Sequence, residues 1–291
     1  MKIVNIKGGL GNQMLQYALA YKLKKLHPSE EILLDLKNFK GYKWHVYELK
    51  YVFDVDLPIA SFWQLLKVTC PFSPNTFIGK YLQFIFRILG LRKKECREKE
   101  HSLFDKEILQ IKGDCYYDGY WTNQDYFADI RDEILDIFSF RRELDDTNKE
   151  LLQEIKSTNS VSLHVRRGNY LLLDVYKGIC DLDYYQRAID YINDNVENPH
   201  FYIFSNDIDW CKENLTGMLK NYTFVGNNSG MNNYIDLQLM SNCKHNIIAN
   251  STFSWWGSWL NQYKDRIVVA PKKWLNMEMK HTPLLEEWIK K

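Results

Sequence analysis

Neither sign of charge prevails in this chain of 291 residues: 38 Lys and Arg stand against 37 Asp and Glu, a formal net charge of +1. Such a balance leaves no global field for holding nucleic acid, so any anion site must be local. Glycine (14), proline (7) and cysteine (6) show no excess, which excludes a fibrous or disulfide-stapled chain. Cys70, Cys96, Cys115, Cys180, Cys211 and Cys243 lie far apart without a CxxC pair or a zinc-like cluster, and read as reduced thiols. The start, MKIVNIKGGLGNQ, has one short apolar run broken by glycines. It reads as neither a signal peptide nor a membrane anchor, so a cytoplasmic protein is expected. The sequons at Asn214 and Asn250 carry no meaning without secretion.

One absence is regional. Between Asp56 and Glu95 there is no acidic residue, while Lys67, Lys80, Arg87, Arg92, Lys93 and Lys94 sit among Phe62, Trp63, Phe77, Tyr81, Phe84 and Phe86. One reading of 57–94 is a peripheral contact with an anionic membrane beside a lipid-linked glycan; the other is a helix pair with solvated lysines. What is plentiful is aromatic: 15% of the chain, with nine tryptophans. Sugar stacking is compatible with that, and core packing is the commoner use.

KIVNI followed by a glycine turn, a helix-periodic stretch around Met14–Tyr21 and EILLDL spell a β-α-β unit. The second half alternates more regularly: VSLHV, DYYQRAIDYINDNV, FYIFS, DIDWCKENL, YTFV, YIDLQLMSNC, HNIIA, SWWGSWLNQY and RIVVA. That run predicts an α/β fold with a doubly wound parallel sheet, its ligands beyond the carboxyl ends of the strands. The charged RRELDDTNKE and turn-rich KSTNS place a boundary near 141–160, giving domains 1–150 and 151–291.

Gly8-Gly9-Leu10-Gly11-Asn12-Gln13 stands where a strand opens into a helix, and unpaired N–H groups there attract a phosphate. With Asp35 ending the second strand, an NAD-dependent oxidoreductase is one reading, although Met14 takes the position a small residue should hold. A tight turn without ligand is the other. At the end of VSLHV, His164 and Arg166 point to one side, and the adjacent Arg166 and Arg167 offer forks that match phosphate oxygens. A structural Arg–Asp pair is the alternative.

After FYIFS, Ser205 and Asp207 either serve a guanine edge or cap the next helix. After HNIIA, Asn250, Ser251, Thr252, Phe253 and Ser254 provide hydroxyl and amide groups at a helix start, again a phosphate site or an N-cap. The Asp-x-Asp strings at Asp54, Asp181 and Asp207 are too short to argue for a metal, and Asp181 and Asp183 read as first-turn acids.

Taken together, GGLGNQM, HVRRGN, FSND and CKHNIIANSTFSWWGSWLN resemble the bacterial α-1,2-fucosyltransferases of glycosyltransferase family 11, from the first strand to IVVAPKKWL, most weakly over 57–115. The resemblance implies a GT-B-like enzyme, two Rossmann-type doubly wound domains facing a cleft. Its activity would be that of a galactoside 2-α-L-fucosyltransferase, moving L-fucose from GDP-β-L-fucose to the 2-hydroxyl of a terminal β-galactoside of a surface polysaccharide or oligosaccharide. It implies inversion, no metal and no cofactor beyond the donor. By that likeness Arg166 and His164 are catalytic, and Arg167, Asn169, Ser205, Asp207 and Asn250–Ser254 bind the donor. Gly9, Gly11, Asn12 and Gln13 would approach its diphosphate from the first domain. Asn169 stands where the family commonly has Asp, and Asn cannot take a proton at neutral pH. No general base is assigned among Asp174, Asp181 and Asp183. A nucleotide-sugar or glycan-binding protein without turnover is the reading outside enzymes.

Overall fold

The computed structural model describes residues 1–92 and 94–291, and for Asn169 the backbone alone. Lys93 lies outside the described residues. By backbone packing the chain divides into two units, Met1–Arg141 with Lys280–Pro283, and Arg142–Met279 with Leu284–Lys291.

In the first unit β1 (Lys2–Asn5) is buried along its whole length, as a central parallel strand must be. Helix α1 (Leu10–Leu26) follows and returns the chain to β2 (Ile32–Asp35). Three helices come next, α2 (Leu49–Val52), α3 (Phe62–Val68) and α4 (Phe77–Ile88), then β3 (Glu95–Arg97), β4 (Cys115–Asp118) and α5 (Arg131–Ile137). The sheet order is β2-β1-β4-β3, every pair parallel, so the order reverses between β1 and β4. The acid-free segment supplies α3 and α4. On α4 only Gly79 is buried, whereas Phe77 is 92% and Tyr81 65% exposed, so the helix turns apolar side chains to solvent.

The second unit contains α6 (Asp146–Ser157), β5 (Asn159–Val165), α7 (Leu182–Asn195), β6 (Pro199–Ser205), α8 (Ile208–Leu215), β7 (Tyr222–Val225), α9 (Tyr234–Asn242), β8 (His245–Ile247), α10 (Thr252–Leu260), β9 (Val268–Ala270) and β10 (Ile289–Lys290). These are the predicted strand–helix alternations. The all-parallel sheet runs β10-β9-β8-β5-β6-β7. Counted from β5 this is the doubly wound order 3-2-1-4-5-6, with its switch point between β5 and β8. Val161, Leu163, Ile203, Ile247 and Val269 form the buried centre of the sheet, and α7 lays Tyr185, Ile189 and Ile192 over it.

Six of the nine tryptophans are packing residues. Trp255, Trp256 and Trp259 of α10 are buried against one another and Trp288, and Trp121 and Trp274 are buried too. Trp44 and Trp63 are exposed. All six cysteines are free thiols.

Candidate active site

Strand β5 ends in Val165, and the next two residues bring guanidinium groups to the switch point of the second sheet. Arg166 and Arg167 both line a cavity of about 30 Å³ with Tyr170, Tyr176, Cys180 and Trp210. Arg166 lies over the Tyr170 ring at 5.3 Å, and Tyr170 stacks on Tyr176 with centroids 4.3 Å apart. Arg167 is held differently. Its Nε donates to Asp207 Oδ2 at 3.0 Å, and its guanidinium sits 4.0 Å above the Trp210 ring. The two arginines thus diverge: one faces the tyrosines, while the other forms the Arg–Asp pair that the sequence left open as an alternative.

Gly168 explains why the turn holds. Its φ is +58°, and a Cβ there would lie 2.6 Å from the Asn206 amide nitrogen. Asn206 Oδ1 in turn accepts the Arg167 N–H at 2.9 Å, so the turns after β5 and β6 are locked together. The Asn169 side chain lies outside those described.

His164 is buried, and its Nδ1 has no hydrogen-bond partner among the described residues. Burial, then the neighbouring Arg166 charge, pushes its pKa down to about 3. At neutral pH this imidazole is uncharged and brings no positive charge to an anion; its ring lies 5.8 Å from that of Phe253.

At the end of β6, Ser205 Oγ accepts the Asp207 N–H at 2.9 Å. Asp207 caps α8 by accepting the Trp210 N–H at 3.3 Å. The cap uses one carboxylate oxygen and the ion pair the other, and each keeps a further lone pair for a second donor.

Beyond β8, Ser251 caps α10 by accepting from the Phe253 N–H, and Asn250 donates to the Trp274 carbonyl at 3.1 Å. Ser254 is buried with its hydroxyl on the Ala249 and Ser251 carbonyls, whereas Thr252 and Phe253 are only half-buried at the helix start. Three loops from adjacent strands, at 164–168, 205–207 and 250–254, therefore meet at one end of one sheet. Tyr170, Tyr176, Trp210 and Cys180 join them. Their sequence neighbourhoods carry no motif; only tertiary stacking brings them in.

The glycine loop belongs to the first unit. Gly9 is the N-cap residue of α1, and a Cβ on it would come within 3.1 Å of the His45 ring. The left-handed residue is its neighbour Gly8, at φ +81°. Gly11 is buried in the helix and Asn12 is half-buried. Gln13 is fully buried, with Nε2 donating to the Gly8 and Val46 carbonyls and Oε1 accepting the Glu48 N–H. Its side chain is thus engaged in shaping the loop, both amide hydrogens being given to backbone carbonyls. Asp35, the ribose-binding position of the NAD reading, is buried and held by Lys37 at 2.8 Å and the Tyr116 hydroxyl at 2.7 Å.

The acidic strings are dispersed. Asp54 pairs with Arg141 and Asp56 with Lys24, Asp181 caps α7, and Asp209 pairs with Lys212. Among the described residues no three His, Cys, Asp or Glu side chains are grouped to hold a metal ion, and no helix is long and apolar enough to cross a membrane.

The glycosyl transferase family 11 profile matches residues 76–291. The chain belongs to glycosyl transferase family 11. It is 34% identical to the alpha-1,2-colitosyltransferase of Escherichia coli, over 99% of this chain and 98% of that protein. It is 24% identical to galactoside alpha-(1,2)-fucosyltransferase 2 of Sus scrofa, over 99% of this chain and 79% of that protein. The fold resembles that of NodZ alpha-1,6-fucosyltransferase, solved after soaking with GDP-fucose, with a TM-score of 0.50 and 15% identity over 89% of this chain and 91% of that one. Membership of the family places the GGLGNQ loop in a glycosyl transferase and leaves no support for the oxidoreductase reading.

Proposed function

We propose that this family 11 enzyme moves L-fucose from GDP-fucose to the 2-hydroxyl of a terminal β-galactoside, with inversion and without a metal ion. The single observation that carries the reading is the meeting of the Arg166–Arg167 turn with the loops after β6 and β8 at the switch point of the second sheet. Departure of GDP puts negative charge on the diphosphate as positive charge develops at the sugar carbon. In this reading Arg166 neutralises the diphosphate. A preorganised donor of this kind contributes about 2.7–4 kcal/mol in other enzymes. The N–H groups at the start of α10, with Thr252, add a second pole for phosphate. In this reading the unit from Arg142 binds the donor of a GT-B-like enzyme.

The cavity at Arg166 measures about 30 Å³, and the Tyr170–Tyr176 stack forms one of its walls. Outside the site, the exposed Phe77, Ile78, Tyr81, Phe84 and Ile88 of α4, beside the basic Lys80 and Arg87, suit a peripheral contact with an anionic membrane carrying a lipid-linked acceptor. Flotation with phosphatidylglycerol liposomes at low salt tests that contact; protein left at the bottom of the gradient ends it.

A second donor is favoured by one observation, the 34% identity to a colitosyltransferase. Colitose is fucose without its 3-hydroxyl, so the same diphosphate chemistry serves both. The test supplies lactose with GDP-fucose or GDP-colitose, with and without EDTA, and reads the product linkage by NMR. An α-1,2-linked product unaffected by EDTA is expected. Absence of transfer from either donor to any β-galactoside tried would sink the proposal.

A further inference from the structure

The first unit has its own switch point, between β1 and β4, and a second cavity opens there with a volume of about 310 Å³. That volume falls within the usual range of small-molecule pockets, roughly 300–1,000 Å³. Its wall holds Lys7, Lys37, Arg87, Arg92 and Arg97, against Asp118 alone among acidic side chains. Lys7 follows β1, Lys37 follows β2, Arg97 ends β3 and Asp118 ends β4, so all four strands contribute at their carboxyl ends. Ligands of open parallel sheets bind at that end.

The charges do not cancel. Lys7 is paired with Asp118 at 2.8 Å and Lys37 with Asp35 at 2.8 Å. Arg92 and Arg97 share one carboxylate, that of Glu95, which is buried and also accepts from the Thr69 hydroxyl. The Arg87 side chain, on α4, has no ion pair or hydrogen bond among the described residues, and the residue is exposed. Five cations therefore meet three carboxylates, an excess of two positive charges gathered in one concavity. Low-dielectric walls strengthen such a field, and the arginine fork matches an oxyanion. The amide side chains of Asn5 and Asn38 line the same wall and suit hydroxyl groups.

We infer that this pocket is an oxyanion-binding site of the first unit, taking a phosphate or carboxylate group through Arg87, Arg97 and Lys7. It goes beyond the transfer reaction and stands whether or not lactose is an acceptor. The cavity exceeds the needs of a free phosphate, so the oxyanion comes either from solution or as a substituent of a larger saccharide.

The test is made in the Arg166→Ala protein, so that inorganic phosphate is not drawn to the proposed donor site. Calorimetric titration at low ionic strength should detect phosphate binding, and adding Arg87→Gln should weaken it at least fivefold. Arg97→Gln, a second exposed position, is expected to act in the same direction. Lactobionate, a β-galactoside bearing one carboxylate, then separates the sources. If it displaces phosphate while lactose does not, the oxyanion rides on a saccharide; if neither does, the site takes a free oxyanion. Absence of phosphate binding in Arg166→Ala, or binding that neither arginine variant changes, overturns the inference.

Discussion

A Cβ on Gly168 would strike the Asn206 amide at 2.6 Å, in a backbone conformation with φ at +58° that an L side chain enters at a cost of about 1–2 kcal/mol. Gly168→Ala should therefore lower stability by that amount or more, and should also shift the Arg167 N–H off Asn206. The control is Gly113→Ala, where φ is +75° and nothing lies within 4 Å of the added carbon. Both variants should lose stability in urea titrations, but only Gly168→Ala should weaken GDP binding, by tenfold or more. Equal GDP affinities would detach the turn from the donor site. At Arg166, replacement by Ala should abolish transfer, and Lys should not restore it, because a point charge does not reproduce the fork; wild-type turnover in Arg166→Lys would refute the bidentate role. His164 gives a stability signature instead. Its folded pKa is lowered to about 3 against about 6.5 in an unfolded chain. Above pH 6.5 both states are neutral, and as pH falls toward 3 the unfolded state takes up the proton first. The His164 contribution therefore costs stability on acidification, and His164→Gln should remove that contribution in urea titrations between pH 7 and 4.

Helices α6 and α9 are tied through a polar cluster. Asn148 of α6 donates to Asn228 at 3.0 Å, and Asn228 donates to Asp236 of α9 at 2.8 Å. Burial raises the Asp236 pKa to about 7, against the opposing hydrogen bond from Asn228. An unfolded aspartate titrates near 3.9, so the contribution of Asp236 to stability is fully present below that pH and is lost as pH rises to about 7. Asp236→Asn keeps the acceptor and removes the proton. Its urea midpoint should fall less than that of the wild type between pH 4.5 and 8, and parallel profiles would disprove the role. Glu48, also raised to about 7 by burial, leaves some slope in both proteins. Elements were legible where a pattern was repeated: strands β5 to β8 are largely apolar runs, each followed by a helix, β9 closes the series, and the parallel direction follows from that rhythm. Strand β3 was not legible. Its three residues, Glu95-Cys96-Arg97, spend their charges on one another and on Arg92, and no apolar run marks them. In the site, the motif residues at strand ends were legible from placement, but the Arg167–Asp207 pair and the Tyr170–Tyr176 stack depend on contacts between different loops, which spacing along one chain does not encode.

At the scale of the whole molecule, neither unit is a continuous stretch of chain. The chain leaves the second unit after Met279, gives Lys280–Pro283 to the first, and returns with Leu284–Lys291. That last segment supplies β10, which pairs with β9 through Ile289 and Lys290, and it buries Leu284, Leu285 and Trp288. Trp288 lies 6.0 Å from Trp255, at the edge of the α10 tryptophan cluster, directly behind the helix whose first turn forms part of the proposed donor site. Burial of one such side chain contributes about 1.5–3 kcal/mol, and three together match much of the ~5–15 kcal/mol that holds a typical domain folded. A chain ending at Met279 should therefore lose cooperative unfolding in its second unit and with it GDP binding. Trp288→Ala, which leaves β10 in place, should cost about 3–5 kcal/mol in urea titrations and shift the fluorescence of the α10 tryptophans. Its GDP affinity under conditions where it remains folded should stay within a few-fold of the wild type, since Trp288 supports α10 from behind without lining the cavity at Arg166. A truncated chain with an unchanged urea midpoint would mean that the returning segment is an appendage, and that the second unit draws its stability from the sheet alone.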